Sequence, residues 1–443
     1  MAALNSLPPT GSDRGEARMV DIDELAENFD PWDIRLAGDS ELFWAVVERM
    51  RQKGPVLRST AQGGFWIITG HDEVLRANKD WETYTSAQGV TIPSNPDVPK
   101  LAPIEVDPPV HREWRRMLNP SMSPAAMARH EPAIRSIAVE LMDQFVERGE
   151  CDLATDFAWQ FVPASLFQVL LGVPVDQVER TRRLVHRVVS FEDLDEQTGA
   201  RGESLLEQQN KAFADLNEWA RGFLQWRQER PRVNDVTDAL LHGEVSGKPL
   251  SLQEKVNTLI LLVLAGMETT SSSISAIALH LIEDPSLRHY FHGPEAPVET
   301  AIEELLRHGS ISFGLTRVTT CDVEVGGQVI PAGERVFLLW ASGNRDPEVF
   351  QEPARFDIHR RPNAHLAFGA GPHRCMGANF AKAMLKVATT EMVARLPELR
   401  LDPDGVAVHP PGVTRSTRSL PVLFRPTSPS SGLRTLESAP API

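Results

Sequence analysis

One short loop constrains this chain more than any other feature. Phe368-Gly369-Ala370-Gly371-Pro372-His373-Arg374-Cys375-Met376-Gly377 runs straight into a helical pattern from Asn379 to about Leu396. Glycines at this density let a backbone come close to something flat and bulky. A lone cysteine in such a loop can offer a thiolate as an axial ligand to haem iron, which pushes electron density to the metal and favours O–O cleavage. The N-terminal end of the following helix stabilises a negative sulfur. A buried cysteine in a tight turn is the plainer reading. It leaves the fixed spacing of phenylalanine, glycines, histidine and cysteine unexplained. His365, His373 and Cys375 fit no common zinc spacing, and a fourth ligand is missing. His365 reads as a structural hydrogen-bonding residue ahead of the loop.

The composition suits a large enzyme. The chain has 443 residues, 42% of them hydrophobic, and at this length roughly three quarters of the unfolded surface can be buried. Length alone suggests two domains, but no structureless linker divides the chain. Cys151, Cys321 and Cys375 form no pairwise motif, which argues against a disulfide framework and suits a reducing cytosol. The longest apolar run, Leu259 to Met267, reads as a buried helix rather than a membrane span. No signal peptide is evident, so a soluble cytoplasmic protein is expected. A formal charge of −15 argues against general nucleic-acid binding. Residues 1–20 and 426–443 are expected to be disordered, leaving 21–425 as one domain. No phosphate-binding glycine loop is present, so electrons are expected to come from a separate protein.

Helical patterns dominate. The longest fill Ala125 to Glu147, Glu207 to Gln228 and Ser251 to Glu283. Pro55 to Thr60 and Gly64 to Gly70 read as a hairpin around Gly63-Gly64, and Asp322 to Leu339 as a second β region. The fold class is mainly α with small β sheets. Ser251-Leu252-Gln253-Glu254 has capping-box spacing and Pro285 ends that helix. Its roughly 33 residues span about 50 Å. Gly266 in its middle costs on the order of 1 kcal/mol relative to alanine and so calls for a reason. Small residues there leave room for a flat cofactor and dioxygen.

The cysteine loop resembles the haem-binding signature of the cytochrome P450 family, F-G-x-G-x-H-x-C-x-G, at every specified position. Further segments in the family's order extend the resemblance from about Ile22 to Phe424. It implies a triangular prism of helices enclosing haem b, with Phe368, Gly369, Gly377 and Cys375 at the proximal side. Ala265-Gly266-Met267-Glu268-Thr269 matches the family's A/G-G-x-D/E-T. This implies Thr269 against dioxygen at the haem and Glu268 in proton delivery, with Ala265 and Gly266 beside the cofactor. A serine- and threonine-rich core helix is the other reading of that segment. Glu304-Leu305-Leu306-Arg307 matches E-x-x-R, and Pro353-Ala354-Arg355-Phe356 supplies Arg355 as the implied third member of a structural triad. Asp107-Pro108-Pro109-Val110-His111 to Arg115 resembles D-P-P-x-H-x-x-x-R. His111 and Arg115, with Arg317 and His373, are the implied propionate contacts.

The expected activity is haem-thiolate monooxygenation, with one atom of dioxygen entering a C–H bond of a small hydrophobic substrate. A hydrogen-peroxide-driven peroxygenase and a haem sensor or electron carrier without turnover are the alternatives. The expected substrate walls are Ser86 to Pro103, Val185 to Leu194, Leu262 to Thr269, Ser310 to Leu315 and Pro411 to Arg415. They include Val90, Ile92, Val263, Ile311, Phe313 and Val413, and Ser312 or Arg415 could hold a polar group. A ferredoxin-type partner with its reductase is expected to dock near Arg112, Arg116, Arg374, Lys382 and Lys386.

Overall fold

The computed structural model describes residues 21–93, 100–189, 205–291 and 296–430. The central element is the helix Leu252–Glu283, 32 residues long, or about 48 Å. Its start is the expected capping box. The Ser251 N–H donates to Glu254 Oε2 at 2.7 Å, and the Glu254 N–H donates to Ser251 Oγ at 3.2 Å. Val256, Leu259, Ile260, Val263, Met267, Ile274, Ile277 and Leu281 are all buried, so the apolar face wraps much of the helix. By length and composition this helix could cross a membrane, but 56% of its most apolar window is buried inside the protein. It packs against the helices Trp159–Ala164, Leu205–Gln228 and Ala378–Arg395.

The helix expected from Ala125 runs from Pro124 to Met142, with Ser123 capping its start. Proline at the first helical position loses no hydrogen bond, because that N–H has no intrahelical partner. Ala378–Arg395 begins directly after the cysteine loop, as the sequence suggests.

Most strands join a five-stranded sheet in the order Val56–Ser59, Phe65–Ile68, Arg335–Leu338, Leu315–Thr319, Tyr84–Thr85. The expected hairpin pairs Val56 with Ile68 and Ser59 with Phe65. Within the second β region, Val323–Val325 and Gln328–Ile330 form their own hairpin around Gly326 and Gly327. Both glycines have positive φ, which this tight turn requires. A three-stranded sheet joins Glu150–Asp152 to the C-terminal strands Arg400–Leu401 and Pro421–Leu423. Under the larger sheet lies an aromatic cluster of Phe29, Phe43, Phe65, Phe313 and Phe337. Truncating one such phenylalanine typically costs about 3–5 kcal/mol.

Residues 1–20 and 431–443 lie outside the described residues. Within 426–430, read as part of a disordered tail, the Thr427 N–H donates to the Val146 carbonyl and the Ser430 N–H to Asp143. That stretch is fastened to the helical core.

Candidate active site

One glycine of the cysteine loop is required by a close approach to another stretch of backbone. Gly371 has φ +66°, and a Cβ there would lie 2.3 Å from the Asn78 carbonyl oxygen. Only glycine fits. The Cys375 N–H donates to the Phe368 carbonyl at 2.8 Å, which closes the loop. The Cys375 side chain is exposed although it lies deep in the protein. Burial raises its thiol pKa, while the Gly377 N–H and the guanidinium groups of Arg115 and Arg374 act in the opposite direction. A Cβ on Gly377 would lie 4.0 Å from the sulfur. The sulfur thus sits just before a helix N-terminus, with the guanidinium groups of Arg115 and Arg374 nearby.

On the central helix Ala265 is exposed although Val263 and Met267 on either side of it are buried. A Cβ on Gly266 would approach Leu166 Cδ2 at 3.1 Å, a tight contact, so the packed leucine is one reason for glycine at this position. The Thr269 hydroxyl donates to the Ala265 carbonyl at 3.1 Å, and Ser273 Oγ donates to the Thr269 carbonyl at 2.7 Å. Such bonds back to the helix loosen its own ladder. Glu268 accepts from Arg418 Nη2 at 3.4 Å, and the Arg418 guanidinium lies 4.4 Å from the Trp159 ring centre. Arg418 is a neighbour that sequence reasoning missed, since it lies 150 residues away from Glu268.

His111, Arg115, Arg317 and His373 come together. The His111 and His373 rings are 4.2 Å apart. His373 Nε2 lies 3.1 Å from Ser86 Oγ, and Ser86 donates to Asp107 at 2.8 Å. Burial, followed by the nearby arginines, lowers the pKa of His111 to about 4 and of His373 to about 3. Arg115 donates to the Arg374 carbonyl at 2.6 Å. Arg317 is buried and gives its guanidinium to the Thr316 carbonyl at 2.7 Å; burial lowers its pKa to about 10. Among the described residues Arg317 has no ion pair, and the buried His111 Nδ1 has no hydrogen-bond partner. Buried cations and donors without carboxylates are costly. This donor set fits the two propionates of haem b.

Glu304 and Arg307 are fully buried and joined by two bonds of 2.7 Å. Arg355 is not the third member. It is exposed and pairs with Glu352 at 3.1 Å. Arg360 takes the place, with Nε 3.2 Å from Glu304 Oε1. The chain turns after Phe356 and gives the Asp357 N–H to Glu304 Oε1 at 2.9 Å, while Asn363 Nδ2 donates to Oε2 at 3.1 Å. That turn carries residue 360, not 355, to the carboxylate. Arg355 contributes only its backbone carbonyl, which accepts from Arg307 and Arg360.

Several expected surface and pocket residues are otherwise engaged. Lys382 is paired with Glu303 at 2.8 Å, and Lys386 with Glu131 and Glu299 at 3.3 and 3.4 Å. Arg112, Arg116 and Arg374 are exposed and make no ion pair among the described residues. A pocket of about 370 Å³ opens beside them, lined by His111, Arg112, Arg115, Arg116, Asn119 and Pro372. Arg415 donates to the Gly309 carbonyl at 2.9 Å and Ser40 Oγ at 2.6 Å and lies over Phe43, so it is a structural clamp. Of the expected wall residues, Val90, Ile92, Val263 and Phe313 are buried, whereas Ile311, Ser312 and Val413 are partly open. Residues 94–99 and 190–194 lie outside the described residues.

Comparison with known proteins covers most of the chain. The family profile described as Cytochrome P450 matches residues 35–292 and 298–409. A steroid C26-monooxygenase of Mycobacterium tuberculosis is 31% identical over 392 residues, 87% of this chain and 94% of that protein. The cyclomarin C epoxidase CymV of Salinispora arenicola is 32% identical over 385 residues, 85% and 94% of the two chains. Among solved structures, Mycobacterium marinum cytochrome P450 CYP268A2 in complex with pseudoionone superposes with a TM-score of 0.79 at 27% identity, covering 89% of this chain and 99% of that one. Sequence, fold and relatives agree that this chain belongs to the cytochrome P450 family of haem b monooxygenases.

Proposed function

We propose that Cys375 holds the haem iron as a thiolate, that His111, Arg115, Arg317 and His373 receive the propionates, and that Glu268 and Thr269 deliver protons while a C–H bond of a small hydrophobic substrate is oxygenated. The observation that carries this is the loop itself: Cys375, whose N–H closes the loop onto the Phe368 carbonyl, lies directly before a helix N-terminus and near the guanidinium groups of Arg115 and Arg374. When bound, haem b supplies dioxygen activation and oxygen-atom transfer. Phe368 and Gly377 hold the backbone on either side of the sulfur. Thr269 Oγ1 keeps lone pairs free while its hydrogen is lent to the Ala265 carbonyl. The Glu268 carboxylate, held by Arg418, is the nearest acid along the helix. A steroid monooxygenase and a pseudoionone complex among the relatives, together with Ile311 and Val413, support an apolar substrate. The reduced carbon-monoxide complex is expected to show the strongly red-shifted Soret band of thiolate ligation. Cys375→Ser should lose it, and Cys151→Ser and Cys321→Ser should keep it. The reverse pattern would refute the assignment.

Electrons are assigned to a ferredoxin-type partner docking at Arg112, Arg116 and Arg374. The support is local: three exposed arginines with no ion pair among the described residues, on a chain of charge −15, with Arg374 next to Cys375 and with Arg112 and Arg116 lining a pocket together with Pro372 of its loop. Lys382 and Lys386 drop out because glutamates already neutralise them. Steering of this kind is screened over about 8–10 Å at physiological salt. Reduction by an acidic ferredoxin should therefore slow as salt rises and in Arg112→Glu/Arg116→Glu, while reduction by dithionite stays constant. Rates indifferent to both changes would exclude this face.

A further inference from the structure

We infer that Glu303 and His365 form a positioning pair that holds the Cys375 loop in its ligand-bearing shape. The inference rests on the reading that Cys375 carries the iron. Glu303 precedes Glu304 on the helix Val298–Gly309, and neighbours on a helix point about 100° apart. The helix therefore presents two carboxylates in two directions. Glu304 gathers residues 357, 360 and 363. Glu303 takes the next stretch of chain: its Oε2 lies 2.7 Å from His365 Nε2, and its Oε1 accepts from Lys382 Nζ at 2.8 Å.

The imidazole is engaged at both nitrogens. His365 Nδ1 lies 3.2 Å from the Ala367 N–H. A backbone N–H can only donate, so Nδ1 is the acceptor and the ring proton sits on Nε2, facing Glu303. The ring cannot turn without losing both bonds. The His365 side chain is only 7% exposed, so water cannot readily replace them. Burial by itself would raise the Glu303 pKa, but the bonds from His365 and Lys382 bring it down to about 2. The carboxylate therefore stays ionised at neutral pH.

The pair leads to the cysteine by contact. The His365 ring lies 6.1 Å from the Phe368 ring, and the Arg374 guanidinium 5.9 Å from it. The Phe368 carbonyl accepts the Cys375 N–H at 2.8 Å. Lys382 belongs to the helix that follows Cys375. One carboxylate thus ties down the strand of chain entering the loop and the helix leaving it. Glu303 and His365 act through Phe368 and the backbone rather than on haem. Their effect is to keep the sulfur a ligand.

The test follows the lifetime of the thiolate band in the reduced carbon-monoxide complex, at a temperature well below melting. Wild type, Glu303→Gln, His365→Phe and His365→Asn are compared, with melting temperatures measured alongside. Asparagine at 365 keeps a side-chain acceptor for the N–H two residues on, a bond it forms readily, but cannot bond Glu303 as histidine does. Glu303→Gln keeps the shape, removes the charge and turns one of the two accepting oxygens into a donor, so it can accept from His365 or Lys382 but not from both. Conversion to the neutral-thiol form should be faster on the order of tenfold to a hundredfold in all three variants, as expected for loss of one charged hydrogen bond. His365→Asn behaving as wild type would show that the local turn suffices and overturn the pair. So would lower melting temperatures with unchanged band lifetimes. A wild-type protein without the thiolate band would overturn the ligand reading as well. A wild-type band equally durable in every variant would overturn the pair alone.

Discussion

Glu304→Ala is expected to cost about 3–5 kcal/mol of stability, a large part of the roughly 5–15 kcal/mol that holds a domain folded. The carboxylate is fully buried, and its loss strands the buried guanidinium groups of Arg307 and Arg360 without a counter-charge. The Asp357 N–H and Asn363 amide lose an acceptor at the same time. Denaturant unfolding should show a lower midpoint at unchanged slope. Arg360→Ala should be comparably damaging. Arg355→Ala should stay within about 0.5 kcal/mol, since its side chain is exposed and pairs only with exposed Glu352. If Arg355→Ala proved as costly as Arg360→Ala, the assignment of the third member would fail.

Thr269→Ala is expected to slow proton delivery about 100- to 10,000-fold while leaving haem and substrate binding spectra intact. The hydroxyl lost is one that bonds back to Ala265, and alanine is the best helix former, so the helix itself should not suffer. Reducing equivalents should then leave as hydrogen peroxide instead of product. Hydrogen peroxide supplied without reductant should sustain little turnover in the parent enzyme. An unchanged yield of product per reducing equivalent in Thr269→Ala, at saturating substrate, would remove Thr269 from the relay and favour a peroxide-driven route.

What could be read in advance follows a physical rule. The central helix is legible because Ser251, Glu254 and Pro285 bracket an apolar run at helical spacing. The Glu304–Arg307 pair is legible because helix geometry alone brings positions three apart together. Arg360 is not, since it reaches Glu304 along a loop with no period that would tell which residue turns inward. Lys382 and Lys386 share a face as their spacing implies. The glutamates opposite them come from two other helices, and no local pattern discloses that. Tyr84–Thr85, a strand of two residues, offers no alternation to read. The glycines around Cys375 announce a close approach but not its partner, which at Gly371 is the Asn78 carbonyl on a helix far away in the chain.

The C-terminal clasp has a consequence for how the chain is made. Arg415 donates to Ser40 across 375 residues, and Asp152 accepts from the Leu420 N–H across 268. At about 5–20 residues per second of synthesis, Ser40 waits roughly 20–75 s on the ribosome for its guanidinium. During most of that time Glu150–Asp152 has no neighbour in its sheet, because its partner Pro421–Leu423 has not been translated. An unpaired edge is a template for wrong pairing. The nascent chain therefore carries open seams that stay open until residues 415–423 have been made, and this is the interval in which chaperones have most to protect.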